Sequence, residues 1–159
     1  YQLTWLMCVF GELLYNSFLP GLICGLIFVS TCFFNSNDKK KFTITVFLIS
    51  ILGYLFDTLL VFFQIYSFET SLNIGVLPIW MILLWPSFAI LFDEILIFLH
   101  KLKLLAVILS SILGPLTYFA GSPLGLININ NLFLFFLFMI IFWAALMIFY
   151  LSYLVKIKI

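Results

Sequence analysis

The chain has no arginine and one histidine, and only 8% of its 159 residues are charged. A soluble domain carries about a quarter charged residues. Water would solvate such a surface poorly, so lipid is the expected solvent for most of the chain. The net charge is +1 and the seven lysines fall in three short segments, which is too little to displace counterions from phosphates. Nucleic acid is therefore excluded as a partner. Cysteine is scarce too. Cys8, Cys24 and Cys32 are odd in number, lie in apolar stretches and form no CxxC pair, so they read as small buried apolar residues. HExxH, GxSxG, P-loop and dinucleotide patterns are all absent. No cofactor or metal is expected, since His100 is the lone histidine and lies outside the core of any span. Paired carboxylates of the glycosidase kind would need a water-filled cleft, and no sugar-binding surface is in sight. The chain begins at Tyr1 rather than Met, so either residues precede it or it was processed; with no basic stretch before the first apolar run, a secretory signal peptide is not expected.

What the chain has is apolar length. Hydrophobic residues make up 66% of it and Phe alone supplies 21. A span needs about 20 apolar residues, or about 17 at the short end. The polar breaks separate candidates at 2–14, 18–34, 42–66, 76–99, 104–121 and 132–155. The expected fold is all-α: a polytopic membrane bundle of about six helices, a single integral domain over residues 1–159. Tyr15-Asn16-Ser17 before Pro20-Gly21 reads as a tight helical hairpin. The alternative for the first segment is re-entrant or interfacial, and whether residues 1–17 make a full span is open. Lys39, Lys40 and Lys41 lie between the second and third candidates, Lys101 and Lys103 between the fourth and fifth, and Lys156 and Lys158 after the sixth. The other connections carry none. Positive residues favour the cytoplasmic side, which places both termini there. The connections leave no room for a soluble domain, so function must reside in the bundle or on its faces.

Four carboxylates fall inside candidate spans: Glu12, Asp57, Asp93 and Glu94. An acidic residue at mid-membrane costs about 2.5–3.5 kcal/mol on insertion scales. With no Lys or Arg in a span, these acids must face the interior and bond to Tyr, Ser, Thr or Asn, or stay protonated. On the third span Ser50, Gly53, Tyr54, Asp57, Val61 and Gln64 recur every three or four residues and share one helix face. Ser110, Gly114, Thr117, Tyr118 and Gly121 form a small and polar stripe on the fifth, and Gly21 and Gly25 a small-xxx-small pair on the second. Such residues let helices approach closely. By depth, Asp57, Tyr118 and Glu12, with Gln64, form a candidate polar pocket toward the outer side. Asp93, Glu94 and His100 form a second polar zone toward the inner side. Pro86 and Pro115 each remove a backbone hydrogen bond within a span. Trp5, Trp80, Trp85 and Trp143 read partly as interfacial anchors, Trp80 in an outer aromatic belt and Trp85 deeper.

Several segments together carry a likeness: Tyr1-Gln2-Leu3-Thr4-Trp5, Leu52-Gly53-Tyr54-Leu55-Phe56-Asp57-Thr58-Leu59-Leu60, Pro78-Ile79-Trp80 leading to Leu84-Trp85, and Gly114-Pro115-Leu116-Thr117-Tyr118-Phe119-Ala120-Gly121-Ser122-Pro123-Leu124-Gly125. In these the chain resembles the bacterial inner-membrane family catalogued as domain of unknown function 2878, over nearly its whole length. Where that family often ends its fourth span in an Asn-His-Ser-like cluster, this chain has Asp93-Glu94-Ile95. The resemblance implies a small multi-pass protein of the bacterial cytoplasmic membrane, a lipid-related setting and no established activity.

Three functions fit these readings. The first is a non-catalytic protein that binds a lipid-like molecule, oriented by Asp57 and Tyr118, or that supports a membrane-bound lipid-modifying partner. Membrane lipid is the expected partner, with other membrane proteins or a second copy as further candidates. The second is a proton-coupled transporter or channel, for which intramembrane carboxylates are the usual currency. No inverted repeat supports it. The third is an intramembrane enzyme acting on acyl chains, with Asp57 and Tyr118 as acid–base partners if they lie within hydrogen-bond reach. No nucleophile stands out, and no catalytic residue is assigned.

Overall fold

The structure, a computed structural model, describes residues 1–70, 72–94 and 101–153, with Asp93 and Glu94 described by their backbone alone. About 74% is helical. The described residues hold six helices: α1 (Gln2–Tyr15), α2 (Leu19–Asn35), α3 (Lys39–Phe62), α4 (Met81–Glu94), α5 (Lys103–Phe119) and α6 (Leu132–Ser152). Each falls in one of the six apolar segments, but only α3 and α6 are long and apolar enough by themselves to cross a membrane. The others have 14 to 17 residues.

The difference from the expected spans has a local cause. The chain leaves the helix early at one end of the bundle and pairs as short strands: β1 (Tyr66–Phe68), β2 (Asn73–Ile74), β3 (Leu77–Pro78) and β4 (Ile127–Ile129). The third expected span included Tyr66 and the fourth included residues 76–80, all of which lie outside helices. β1 pairs antiparallel with β4, Tyr66 opposite Ile129 and Phe68 opposite Ile127. β2 and β3 form a hairpin whose turn uses Gly75 at φ 64°, a conformation open to glycine at no steric cost. The described lysines start α3 and α5 at the opposite end of the bundle from these strands.

The helices are cut by identifiable signals. Asn16 closes α1 in the left-handed region at φ 46°; its N–H donates to the Glu12 carbonyl and the Ser17 N–H to the Gly11 carbonyl, each at 3.0 Å. A short polar side chain makes that conformation tolerable. Pro20 lies in the first turn of α2, where no N–H partner is needed. A Cβ on Gly11 would sit 2.7 Å from the Ser17 carbonyl and 3.2 Å from Pro20, so the hairpin read from the sequence closes directly over that glycine. The Asp38 carboxylate accepts from the Lys41 N–H at 2.9 Å, and the Asn131 side chain from the Leu134 N–H at 3.0 Å. Both are N-caps.

Packing runs in pairs: α1 on α2, α3 on α4 with α2 beside α4, and α5 on α6. The glycines set the distances. Gly21 lies against the Cys8 backbone, where a Cβ would be 2.8 Å from Cα, and Gly25 lies against Leu83 and Thr4. Gly53 and Gly114 act differently from the helix-on-helix contacts expected. Each is a seat for an indole: a Cβ on Gly53 would be 2.2 Å from the Trp85 ring, and one on Gly114 would be 2.2 Å from the Trp143 ring. Those two rings stack on each other, centroids 5.8 Å apart and 21° from parallel. A layer Gly53–Trp85–Trp143–Gly114 thus joins α3, α4, α6 and α5. Gly121 lies beyond α5 and packs on the Ile127 side chain of β4.

Trp85 lies deep, as expected, but Trp80 and Trp143 are not anchors on the outer surface either. Trp80, Trp85 and Trp143 are buried core residues, and Trp5 packs against the same core. Backbone stripped to glycine leaves room for indoles inside the bundle, where their area is worth most.

Candidate functional site

Asp57 is wholly buried, four residues after Gly53 on the inward face of α3. Its carboxylate receives three side-chain donors from three elements. The Tyr66 hydroxyl on β1 donates to Oδ1 at 2.7 Å. The Trp85 Nε1–H on α4 donates to Oδ2 at 2.7 Å. The Tyr118 hydroxyl on α5 lies between both oxygens, 3.0 Å from Oδ1 and 2.9 Å from Oδ2. An ionised carboxylate is an acceptor-only group, and three convergent donors suit it. The Trp N–H can only donate, so at least that side of the site is fixed in direction.

Each donor is itself held. Trp85 is wedged between Gly53 and Trp143. Tyr66 is fully buried and edges onto Phe68, Tyr118 and Phe135. Tyr118 sits in the penultimate position of α5, and only its hydroxyl reaches across to α3. Asp57 thereby ties β1, α4 and α5 to α3 at the strand-bearing end of the bundle.

A second polar contact repairs a break in α4. Pro86 has no N–H for the carbonyl of Ile82, four residues earlier. The Tyr54 hydroxyl on α3 donates to that carbonyl at 2.7 Å. Tyr54 and Asp57, three apart on one face, thus both fasten α3 to α4.

Beside this cluster runs a cleft between α4 and α5, with α6 as its floor and Tyr1 and Gln2 at one edge. Its volume is about 390 Å³, and its lining includes Phe88, Leu91, Leu109, Ser110, Leu113, Thr117 and Met147. That places it inside the usual range for small-molecule sites. The α5 stripe read from the sequence lines it: Ser110, Gly114 and Thr117 all face this space. A second, smaller cavity of about 50 Å³ adjoins the cleft at Tyr1 and Thr117 and is lined by Trp5, Trp80, Tyr118 and Gly121, among others.

The structure thus joins Asp57 and Tyr118 directly and leaves Gln64 outside their cluster. Gln64 is exposed in the turn after α3 at φ 55°. Its backbone carbonyl accepts from the Asn130 side chain at 2.9 Å. Because α3 ends at Phe62, the helical periodicity that put Gln64 on the Asp57 face no longer applies there. Glu12 is buried on α1, one turn beyond Cys8 and next to the Asn16 cap. The second polar zone falls outside the described residues: the side chains of Asp93 and Glu94, and the whole of His100. Among the described residues no group of His, Cys, Asp and Glu is arranged to hold a metal.

Sequence reasoning missed Tyr66 and Trp85 as partners of Asp57. A signal existed for Trp85, since an indole deep in an apolar helix needs an acceptor for its N–H. Tyr66 gave none, because it sits in a strand within a segment that reads as helix. The acid–base pairing of Asp57 with Tyr118 meets the distance it required. Yet Asp57 is closed off behind its three donors and touches no open space in this arrangement.

A family model described as a protein of unknown function, DUF2878, matches residues 1–149. No curated protein and no solved structure matches the chain. The segments that carry the resemblance supply Gly53, Tyr54, Asp57, Trp85, Gly114 and Tyr118, with Trp5 and Trp80 of the small cavity, whereas the third donor, Tyr66, lies outside them.

Proposed function

The chain belongs to that family, and we propose that it works as a multi-pass protein of the bacterial cytoplasmic membrane, one domain over residues 1–159, that holds a lipid-like ligand in the cleft between α4 and α5. The single observation that carries this reading is the cleft itself: apolar along most of its length, with Thr117 in its wall and Tyr118 in the small cavity next to it. An amphiphile would lay its chain along Leu109, Leu113 and Met147 and bring its polar end to Tyr118.

The membrane setting is supported by what covers the outside. Leu104, Phe133, Ile27 and Phe47 are all more than 60% exposed, and further exposed apolar residues lie along α1, α2, α3, α5 and α6. So much exposed apolar surface is not found on soluble monomers. The shorter helices match a bilayer that is locally thin or that meets the α1–α2 hairpin part-way. The lysine-bearing segments support a cytoplasmic side for both termini.

The test is lipid retention. Protein is extracted from membranes, washed in mild detergent and weighed by native mass spectrometry with its bound lipid. Leu113→Trp fills the cleft and is expected to lose the lipid that wild type and Leu113→Ala keep. Asp57→Ala, which frees Tyr118, is expected to alter the amount retained. Equal retention by all four proteins would refute the reading.

A further inference from the structure

The three donors on Asp57 are not equal. Tyr66 and Trp85 each face one oxygen at 2.7 Å. For a tyrosine that is an ordinary length, and for an N–H donor it is short. Both are locked, Tyr66 by full burial and Trp85 by the glycine seat and the second indole. Tyr118 has one proton to share between two oxygens at 2.9 and 3.0 Å, longer than the usual O–H···O distance near 2.7–2.8 Å. It is only partly buried, and it lines the small cavity that adjoins the cleft at Tyr1 and Thr117. The carboxylate therefore has two permanent donors and one weaker donor standing between it and the cleft.

We propose that Tyr118 occupies the place of a ligand's donor, and that the ligand is an amphiphile ending in a free hydroxyl, which hydrogen-bonds to Asp57 when the Tyr118 side chain turns aside. The chemistry follows from the acceptor-only character of the carboxylate. An ether or ester oxygen offers no proton to it, and a carboxylate or phosphate head would set like charges together. The cavity beside Tyr118, about 50 Å³, has room for a hydroxyl on its carbon. The cleft beyond it supplies the apolar surface for the chain. This inference rests on the lipid-binding reading and specifies its ligand class.

The probes are 1-hexadecanol and its methyl ether, which share a chain and differ in the donor. Each is offered at equal amounts in the same micelles, and the bound fraction is read by native mass spectrometry. A hydrogen bond to a charged group changes affinity by about tenfold or more. Wild type is expected to keep the alcohol over the ether. Tyr118→Phe removes the competing donor and is expected to raise alcohol binding by about tenfold relative to the ether. Asp57→Asn, checked for native helicity, is expected to lose the preference. If the alcohol and the ether bind alike in wild type and Tyr118→Phe, or if Tyr118→Phe leaves the alcohol unchanged, the inference is overturned and the lipid-binding reading stands. If neither probe binds and Leu113→Trp changes nothing, both are overturned.

Discussion

Gly53→Ala is the substitution to which the bundle should be most sensitive for the fewest added atoms. The new methyl carbon would lie 2.2 Å from the Trp85 ring. Ordinary contact starts near 3.4 Å, so the ring would have to retreat by roughly 1.2 Å. It has nowhere to go. Trp143 is stacked behind it, and a would-be Cβ on Gly114 is already 2.2 Å from Trp143. A shift of that size would stretch the 2.7 Å bond to Asp57 past hydrogen-bonding distance. Overpacking costs about 1–3 kcal/mol. Losing a hydrogen bond to a charged group costs about 1.5–3 kcal/mol. Alanine returns about 1 kcal/mol of helix propensity. The net expectation is a loss of about 3 kcal/mol, measured as the free energy of reversible unfolding in mixed detergent micelles and followed by far-ultraviolet circular dichroism. Trp85→Ala removes the ring, and with it both the clash and the bond. In that background Gly53→Ala should cost at most about 1 kcal/mol, because the two residues share one mechanism. A neutral or stabilising Gly53→Ala in the wild-type background would refute the seat-and-ring account of the core.

Two further outcomes are expected. Tyr54→Phe leaves the Ile82 carbonyl without its donor and should destabilise by about 1–3 kcal/mol in the same assay; Pro86→Ala restores the missing N–H, and a Tyr54→Phe cost that persists undiminished in that background would show that the hydroxyl serves something else. For orientation, single cysteines placed at Asn37 and Asn130 in a protein freed of Cys8, Cys24 and Cys32 should label oppositely with an impermeant maleimide on intact cells, Asn130 reactive and Asn37 protected; the reverse pattern would invert the topology drawn from the lysines.

Much of the architecture was legible because hydropathy and period are local properties. The apolar segments became six helices. The break at Tyr15-Asn16-Ser17 became a capped hairpin, and the spacing of Ser50, Gly53 and Asp57 put them on one buried face of α3. The same rule failed at Gln64, because a helical repeat holds only while the helix lasts, and Phe62 ends it. The strand pair between Tyr66–Phe68 and Ile127–Ile129 joins residues about sixty apart. No short-range pattern specifies that pairing.

The sequence by itself determined that Asp57 must turn inward. An acid in an apolar helix has no favourable place outside, and that is a matter of solvation rather than of partners. Only the tertiary structure decided what it meets there. Tyr66, Trp85 and Tyr118 come from three separate elements. They converge because glycines at 53 and 114 leave ring-sized room between helices, and the strand pair holds Tyr66 over the end of α3. Periodicity tells a residue which way to face, and the packing of other elements chooses what stands opposite.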